Sequence, residues 1–456
     1  MAGRSPAPAD LTEGRPLATP EGGSAQRYWR MTFARSATGT FGLRIFDAGV
    51  TVLITLLLAR MLGAAGFGVF SYALAWAALL GVPAMLGLEQ LVVRGVAAAA
   101  AQRADGRVRG MVGWSIRTIA IVSVVCALTG GVFAALAGLI PPGGELALWI
   151  AMLLVPLTAL ARVMQAAIRG LEHVVAGFLS ELALMPILSL VFVGFGAALF
   201  GQEFDAAAAV GAHVLAAIVG LAGALWLLAR HLPGRVREAL PVTHPREWLA
   251  AAMPLLFITG AHVVNRQTDV VMLGALEGVA AAGVYAVAAR GVQLITFVTY
   301  AVHAPLAPRV AALYATSDKA ALQRVLATSA RVILGASIPL AILFALLGPW
   351  LLSLFGEEFV AGFPALVILS AGQLAAAVAG PAGLALMMTN HERVAAVGTG
   401  IGATVNVVLN LLLIPQYGLT GAATATAAAT GLTSVIHIWM VRRRLGINAT
   451  AFWRGR

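Results

Sequence analysis

Apolar runs long enough to cross a bilayer alternate with short polar gaps along almost the whole chain. They cover approximately 38–61, 67–93, 111–139, 146–169, 174–200, 206–229, 248–273, 280–305, 324–352, 362–388, 394–414 and 418–441. Each reaches the ~20 residues that a spanning helix needs. The pattern predicts an all-α integral membrane fold of twelve transmembrane helices. The gaps then sort by charge. The gap holding Arg94, Arg103, Arg107 and Arg109 is followed by Pro141–Glu145, which has no arginine. Arg162 and Arg169 precede the acidic Gln202–Asp205, and Arg230, Arg235, Arg237 and Arg246 precede Glu277. Arg309, Lys319 and Arg324 precede Glu357–Glu358, Arg393 precedes Pro415–Gly418, and Arg442, Arg443 and Arg444 follow the last run. If every run spans, the basic gaps share one face, with Arg60 the single stray. By the positive-inside rule that face is cytoplasmic, and both termini lie on it.

Composition changes the picture little. Apolar residues make up 60% and charged residues 11%, against roughly 25% charged in a soluble domain. The net charge of +11 sits on the basic face, where it meets anionic lipid, so it calls for no nucleic-acid partner. Residues 1–35 read as a Pro- and Gly-rich disordered cytoplasmic tail without the apolar core of a signal peptide. Cys126 is alone, which excludes an intramolecular disulfide.

The gaps on the arginine-poor face are a handful of residues each, too short for an external catalytic or receptor domain. The only lysine, Lys319, follows Asp318, so there is no nucleotide-binding Gly-Lys pair. No Asp-x-Asp, His-Glu-x-x-His or Gly-x-Ser-x-Gly occurs, and the eight histidines lack ligand spacing. The expectation is a protein that is not an enzyme and holds no metal.

A weak internal repeat relates Ala59-Arg-Met-Leu-Gly-Ala-Ala-Gly-Phe-Gly-Val-Phe-Ser-Tyr72 to Val271-Met-Leu-Gly-Ala-Leu-Glu-Gly-Val-Ala-Ala-Ala-Gly-Val-Tyr285. The offset of six spans predicts two pseudo-symmetric six-helix lobes in the same orientation, a transporter plan. The lobes are spans 1–6 over 36–230 and spans 7–12 over 248–441, joined by a cytoplasmic linker 231–247 and ending in a basic tail 442–456. A second match, Leu199-Phe-Gly-Gln-Glu-Phe204 with Leu354-Phe-Gly-Glu-Glu-Phe359, is out of that register and is read as chance.

The turn Ala59-Arg-Met-Leu-Gly-x-x-Gly-Phe-Gly68 resembles the bacterial polysaccharide flippases, the Wzx-like branch of the multidrug/oligosaccharidyl-lipid/polysaccharide (MOP) exporter superfamily. So do Leu86-Gly-Leu-Glu-Gln-Leu-Val-Val-Arg94, Asp269-x-x-x-Leu-Gly274, Leu354-Phe-Gly-x-x-Phe359 and Leu412-Leu-Ile-Pro-Gln-Tyr-Gly-Leu-x-Gly-Ala-Ala423, with Arg442-Arg-Arg-Leu-Gly446 at the end. The resemblance spans about 36–447. It implies a MATE/MOP-like fold around a central cavity, alternating access, and transfer of undecaprenyl-pyrophosphate-linked oligosaccharide to the outer leaflet for cell-surface polysaccharide synthesis. It further implies the bacterial inner membrane, lipids and polysaccharide polymerase machinery as partners, and no cofactor beyond an H+ or Na+ gradient. Exporters of drugs or of peptidoglycan precursor share the fold; a membrane-embedded glycan polymerase or ligase would need the large external loop that is missing.

Ionisable groups within spans cost about 2.5–3.5 kcal/mol each on insertion scales, which makes them site candidates. Arg290 lies deepest; a cavity role and an ion pair with a neighbouring helix both account for it. Arg162, Gln165 and Arg169 recur on one helical face, with Glu181 at similar depth to neutralise Arg162. Arg117 and Arg331 lie in the basic halves of their spans, as phosphate-loading groups or as snorkelling anchors. Arg44–Asp47 and Arg266–Asp269 share the i,i+3 spacing of local ion pairs. Substrate contacts are thus expected at Arg290, Arg162, Arg117, Arg331, Arg44 and Gln165, and ion coupling or gating at Asp269, Arg266, Asp47 and Glu181.

Overall fold

The computed structural model describes residues 23–452, and side chains from residue 39 onward apart from Gln202. It is all helical: α1 (Gly23–Met85), α2 (Leu88–Ala101), α3 (Asp105–Leu136), α4 (Glu145–Met152), α5 (Leu154–Gly170), α6 (Val174–Leu179), α7 (Met185–Phe200), α8 (Ala206–His231), α9 (Gly234–Glu238), α10 (Pro245–Leu276), α11 (Val279–Ala315), α12 (Lys319–Ser353), α13 (Phe363–Ala379), α14 (Ala382–Met388) and α15 (Glu392–Leu445). Among the described residues, ten helical stretches are long and apolar enough to cross a membrane. Two carry a single non-helical residue, Gly63 at φ 66° in α1 and Gly418 at φ 51° in α15. Glycine alone enters that region without steric cost. The polar gaps expected after 61 and after 414 are therefore one-residue breaks in long helices. Helix also begins earlier than expected, at Gly23, so residues 23–35 of the expected tail are helical; residues 1–22 and 453–456 lie outside the described residues.

Capping and proline account for three of the other boundaries. Asp205 and Asp318 accept from the amides of Ala208 and Ala321 at 2.8 and 2.9 Å, closing the N-termini of α8 and α12. Between α6 and α7 a π-turn covers Ser180–Leu184. Pro186 follows it; a proline lacks the amide that the preceding turn would use and crowds the carbonyl four residues back, which widens the helix there.

Core packing is asymmetric along the membrane normal. At the arginine-poor face one apolar cluster joins both halves of the chain, from Leu58, Phe67 and Leu148 to Tyr285, Phe359 and Leu366. At the arginine-rich face the clusters separate. One is built almost entirely from the first half, around Val92, Ile119 and Ile168. The other, around Leu326, Leu386 and Leu445, belongs to the second half. The halves are thus fused at one face and apart at the other. The fusion depends on one glycine from each repeat. A Cβ on Gly283 would lie 2.9 Å from the Cα of Gly68, and one on Gly68 would strike the Val279 carbonyl. Polar contacts reinforce it: the Glu358 carboxylate accepts from the Ala64 amide at 2.6 Å, and Arg60 Nε donates to the Leu354 carbonyl at 2.7 Å. Arg60 is therefore a cross-link between the halves, which explains a positive charge on the wrong face.

The linker and the described residues after α15 are both packed down. Leu240–Val242 lies along Gly106 and Gly110 of α3, with the Val242 amide donating to the Gly106 carbonyl at 2.9 Å. Arg109 donates to the Ala239 carbonyl at 2.8 Å, and Arg235 pairs with Asp105 at 3.3 Å. After α15, Ile447, Ala449 and Ala451 are buried, and the Ala451 amide donates to the Val378 carbonyl at 3.1 Å. The expected basic tail is thus, from 447 to 451, a strap packed on the second half.

Candidate functional site

A cavity of 310 Å³ occupies the gap that opens where the two cores part. Its walls come from α1, α5, the π-turn, α7 and α8 of the first half, and from α10 of the second. Polar groups cluster on two sides. Arg162, Gln165, Ser180 and Glu181 face Arg266 and Gln267 across it. Gln165 is only 2% exposed, and its Oε1 has no hydrogen-bond partner; a buried acceptor of that kind is costly unless something satisfies it. Arg162 and Glu181 form an ion pair at 3.6 Å, as their equal depth suggested. A side pocket shares Arg162 with the cavity and runs between Gly87, Glu89 and Gln90 on one side and Leu256 and Thr259 on the other.

Arg169 behaves differently from Arg162, two turns away. Its Nη2 sits 2.8 Å from Glu89 Oε1, its guanidinium stacks 4.6 Å from the Phe178 ring, and its side chain is 10% exposed. A short ion pair between α5 and α2 holds it in place. Glu89, inside the Leu86–Arg94 motif, was the signal that went unused.

Arg290 is half-buried on α11, about 16 Å along the helix from Val279. Its guanidinium reaches the Thr55 hydroxyl and lies 5.4 Å over the Phe67 ring. Both partners are on α1, so Arg290 bridges the halves beyond the cavity's end instead of lining it. Among the described residues no carboxylate lies within ion-pair distance of it. Arg117 and Arg44 are exposed and outside the cavity wall; Arg44 lies 5.8 Å from the Phe178 ring. Arg331 is engaged by the C-terminal strap, its Nε donating to the Ala451 carbonyl at 3.3 Å. The cavity thus gathers Arg162, Gln165, Glu181 and Arg266, and leaves Arg290, Arg117, Arg331 and Arg44 elsewhere.

The i,i+3 pairs do not close. Among the described residues no ion pair joins Arg266 to Asp269 or Arg44 to Asp47. Asp269 is 3% exposed within the second half. It accepts from the Tyr285 hydroxyl at 2.6 Å, from Asn410 Nδ2 at 2.7 Å and from the Thr426 hydroxyl. Asn410 Nδ2 also reaches Asn406 Oδ1 at 3.2 Å, and Asn406 donates to the Thr426 hydroxyl at 3.0 Å. Asn410 is thus a direct partner of this buried carboxylate, and Asn406 braces Asn410 and Thr426 around it. The Asn410 Oδ1 is itself buried without a donor. A carboxylate with this shell of oxygens can hold a proton or a monovalent cation. Tyr285 and Thr426 were missed because nothing local distinguishes a buried hydroxyl from a packing one.

This arrangement has known counterparts. The structure of an inward-facing MATE-family multidrug transporter of the MOP superfamily superimposes with a TM-score of 0.70, at 13% identity over 90% of this chain and 98% of that one. The lipid II flippase MurJ, in an inward closed conformation, gives 0.68 at 13% identity, over 90% and 87%. The fold is that of MOP-superfamily transporters, and the chain is a multi-pass membrane protein. A probable low-salt glycan biosynthesis flippase of Haloferax volcanii, Agl15, is 24% identical over 425 residues, 89% of this chain and 83% of its own length. Residues 33–314 match the model of the polysaccharide biosynthesis protein family; the chain belongs to that family.

Proposed function

We propose that this protein carries a lipid-linked oligosaccharide, its sugar joined to undecaprenyl through pyrophosphate, from the inner to the outer leaflet of a bacterial cytoplasmic membrane. The observation that carries the reading is the cavity. It lies between the halves, is fringed by Arg162 and Arg266, and sits in the part of the molecule where the cores have separated. Pyrophosphate and glycan cannot cross hydrocarbon unaided, whereas the prenyl tail can remain in lipid. A cationic, wet cleft open to one face at a time meets both needs. Breaking α1 and α15 at Gly63 and Gly418 turns ten long helices into twelve spans, in two lobes over 36–230 and 248–441. The arginine-rich face with both termini is then cytoplasmic, by the positive-inside rule. The Asp269 shell serves coupling to H+ or Na+, and the protein moves its cargo without making or breaking a glycosidic bond. The family membership and the relationship to a probable glycan flippase support the substrate class.

The test is surface glycan in a deletion strain carrying plasmid copies. Wild type should restore it; Arg162→Ala and Arg266→Ala, present in the membrane at normal level, should each lower it about tenfold or more, the order of a lost charge-assisted contact. Full surface glycan with both arginines removed would sink the proposal.

A further inference from the structure

Resting on that reading, we infer that Glu181 occupies the cargo's anion subsite when the cavity is empty, and that loading displaces it and draws one proton into the site. Three features lead there. The first is geometry. The Arg162–Glu181 contact, at 3.6 Å from Nε to Oε1, is too long for a hydrogen bond, and the side chains are 46% and 32% exposed. Its neighbour Arg169–Glu89 is short, at 2.8 Å, with the arginine side chain only 10% exposed. One pair is built to stay, the other to exchange. A guanidinium offers its fork to phosphate in bidentate fashion, so a phosphate outcompetes a carboxylate touching one edge.

The second is the mounting of Glu181. It stands on the π-turn Ser180–Leu184, a helix irregularity that recurs at functional sites. Ser180 holds that turn to α8 by donating to the Gly220 carbonyl at 2.6 Å, and Gly223 leaves room for Leu184. The base is fixed while the carboxylate faces the cavity.

The third is charge. Arg162 and Arg266 against Glu181 leave the cavity wall with one net positive charge. A pyrophosphate diester carries two negative charges. Protonating Glu181 as it leaves Arg162 brings the wall to two positive charges and the loaded site to neutrality. The groups near Glu181 act in opposite senses, a carboxylate favouring its protonation and a guanidinium opposing it. From α1 they are Asp47, within electrostatic reach of both Glu181 and Arg44. From α8 it is His213, which also lines the cavity, and across it stands Arg266 of α10. Neither α6 nor α7 contributes a titratable side chain. Once Arg162 turns to phosphate, Glu181 and Asp47 are two carboxylates near one another with a shared need for a proton. It arrives from water on the arginine-rich side as the O–H of one carboxyl; no other bond changes.

The experiment is calorimetric titration of the full-length protein in detergent with a synthetic methyl diester of farnesyl pyrophosphate, whose two charges stay constant over the range used, at about pH 6 and about pH 8, in buffers of different ionisation enthalpy. Wild type should bind more tightly at the lower pH and take up close to one proton per ligand. Glu181→Gln, isosteric and with an unchanged melting temperature, should bind about two- to fivefold more tightly at the higher pH, the worth of an exposed ion pair. It should take up no proton, and Glu181→Ala should do the same. Arg162→Ala should lose binding. Proton uptake persisting in Glu181→Gln, affinity no better than wild type, equal binding of farnesol, or no binding by wild type would each overturn the inference. Loss of surface glycan in Arg162→Ala together with unaltered binding in Glu181→Gln would leave the transport reading standing and remove only this one. The expected titrations with surface glycan intact in both arginine variants would do the reverse.

Discussion

Asp269 sits where water does not reach, held by three donors on α11 and α15. Such a carboxylate changes its charge or its bound cation only when the surrounding helices move, which is what a coupling group must do. Asp269→Asn keeps the shape of the side chain and removes the charge. It should leave farnesyl pyrophosphate binding at Arg162 intact while lowering surface glycan about 5- to 150-fold, the range of ordinary coupling energies. Wild-type glycan with Asp269→Asn would show the shell to be structural. At this scale the chain was half legible. A charge inside an apolar run announces itself, so Asp269, Arg162, Glu181 and Arg290 were all visible. Their partners were not, because Thr55, Tyr285 and Thr426 look like any other residue of a membrane helix, and a guanidinium's direction is set by neighbours hundreds of positions away. The i,i+3 spacing misled for that reason: Asp269 prefers donors across the helix interface to Arg266 on its own helix.

Most of the helices were legible because hydropathy sums locally, but the breaks inside the expected spans at Leu86–Gly87 and Gly380–Pro381, and the ten residues by which α11 outruns its apolar stretch, were not. What they do to one another is a matter of a few glycines. Gly68 and Gly283 let α1 and α11 cross in backbone contact at the arginine-poor face. Overpacking such a crossing costs about 1–3 kcal/mol, enough to shift a two-state equilibrium about tenfold. With Cys126 replaced by Ala and Phe67 by Cys, an impermeant thiol reagent should label slowly from the arginine-poor side, since Phe67 is fully buried. Adding Gly283→Leu should raise the labelling rate about tenfold by holding that face open. No change in rate would mean that the crossing does not gate access. The out-of-register match at 354–359 also finds its place here. Gly201 and Gly356 both take positive φ and are followed by the buried Phe204 and Phe359. Only the second copy supplies the carboxylate that caps the Ala64 end of α1.

For the molecule as a whole, the arginines set the expected orientation. On a Cys126→Ala background, single cysteines at Gly143, Gly278 and Gly356 should react with an impermeant reagent in intact cells, and one at Gly234 should not. External labelling at Gly234 would invert the topology. Arg60, the lone exception to the charge pattern, is accounted for by its bond to Leu354 across the interface. Which face is closed could not be read from the chain, because it depends on how two halves meet and each half is complete without the other.

The pinned linker sets the length of the stroke. Val242 is tied to α3 and α10 begins at Pro245, so the leash between the halves is Thr243 and His244. Three Cα steps reach at most about 11 Å when fully drawn out, and part of that reach is already used. At that corner the second half can pivot but not travel. Any opening between the halves must therefore come as rotation about this corner, so the gap widens with distance from it while the corner itself stays shut.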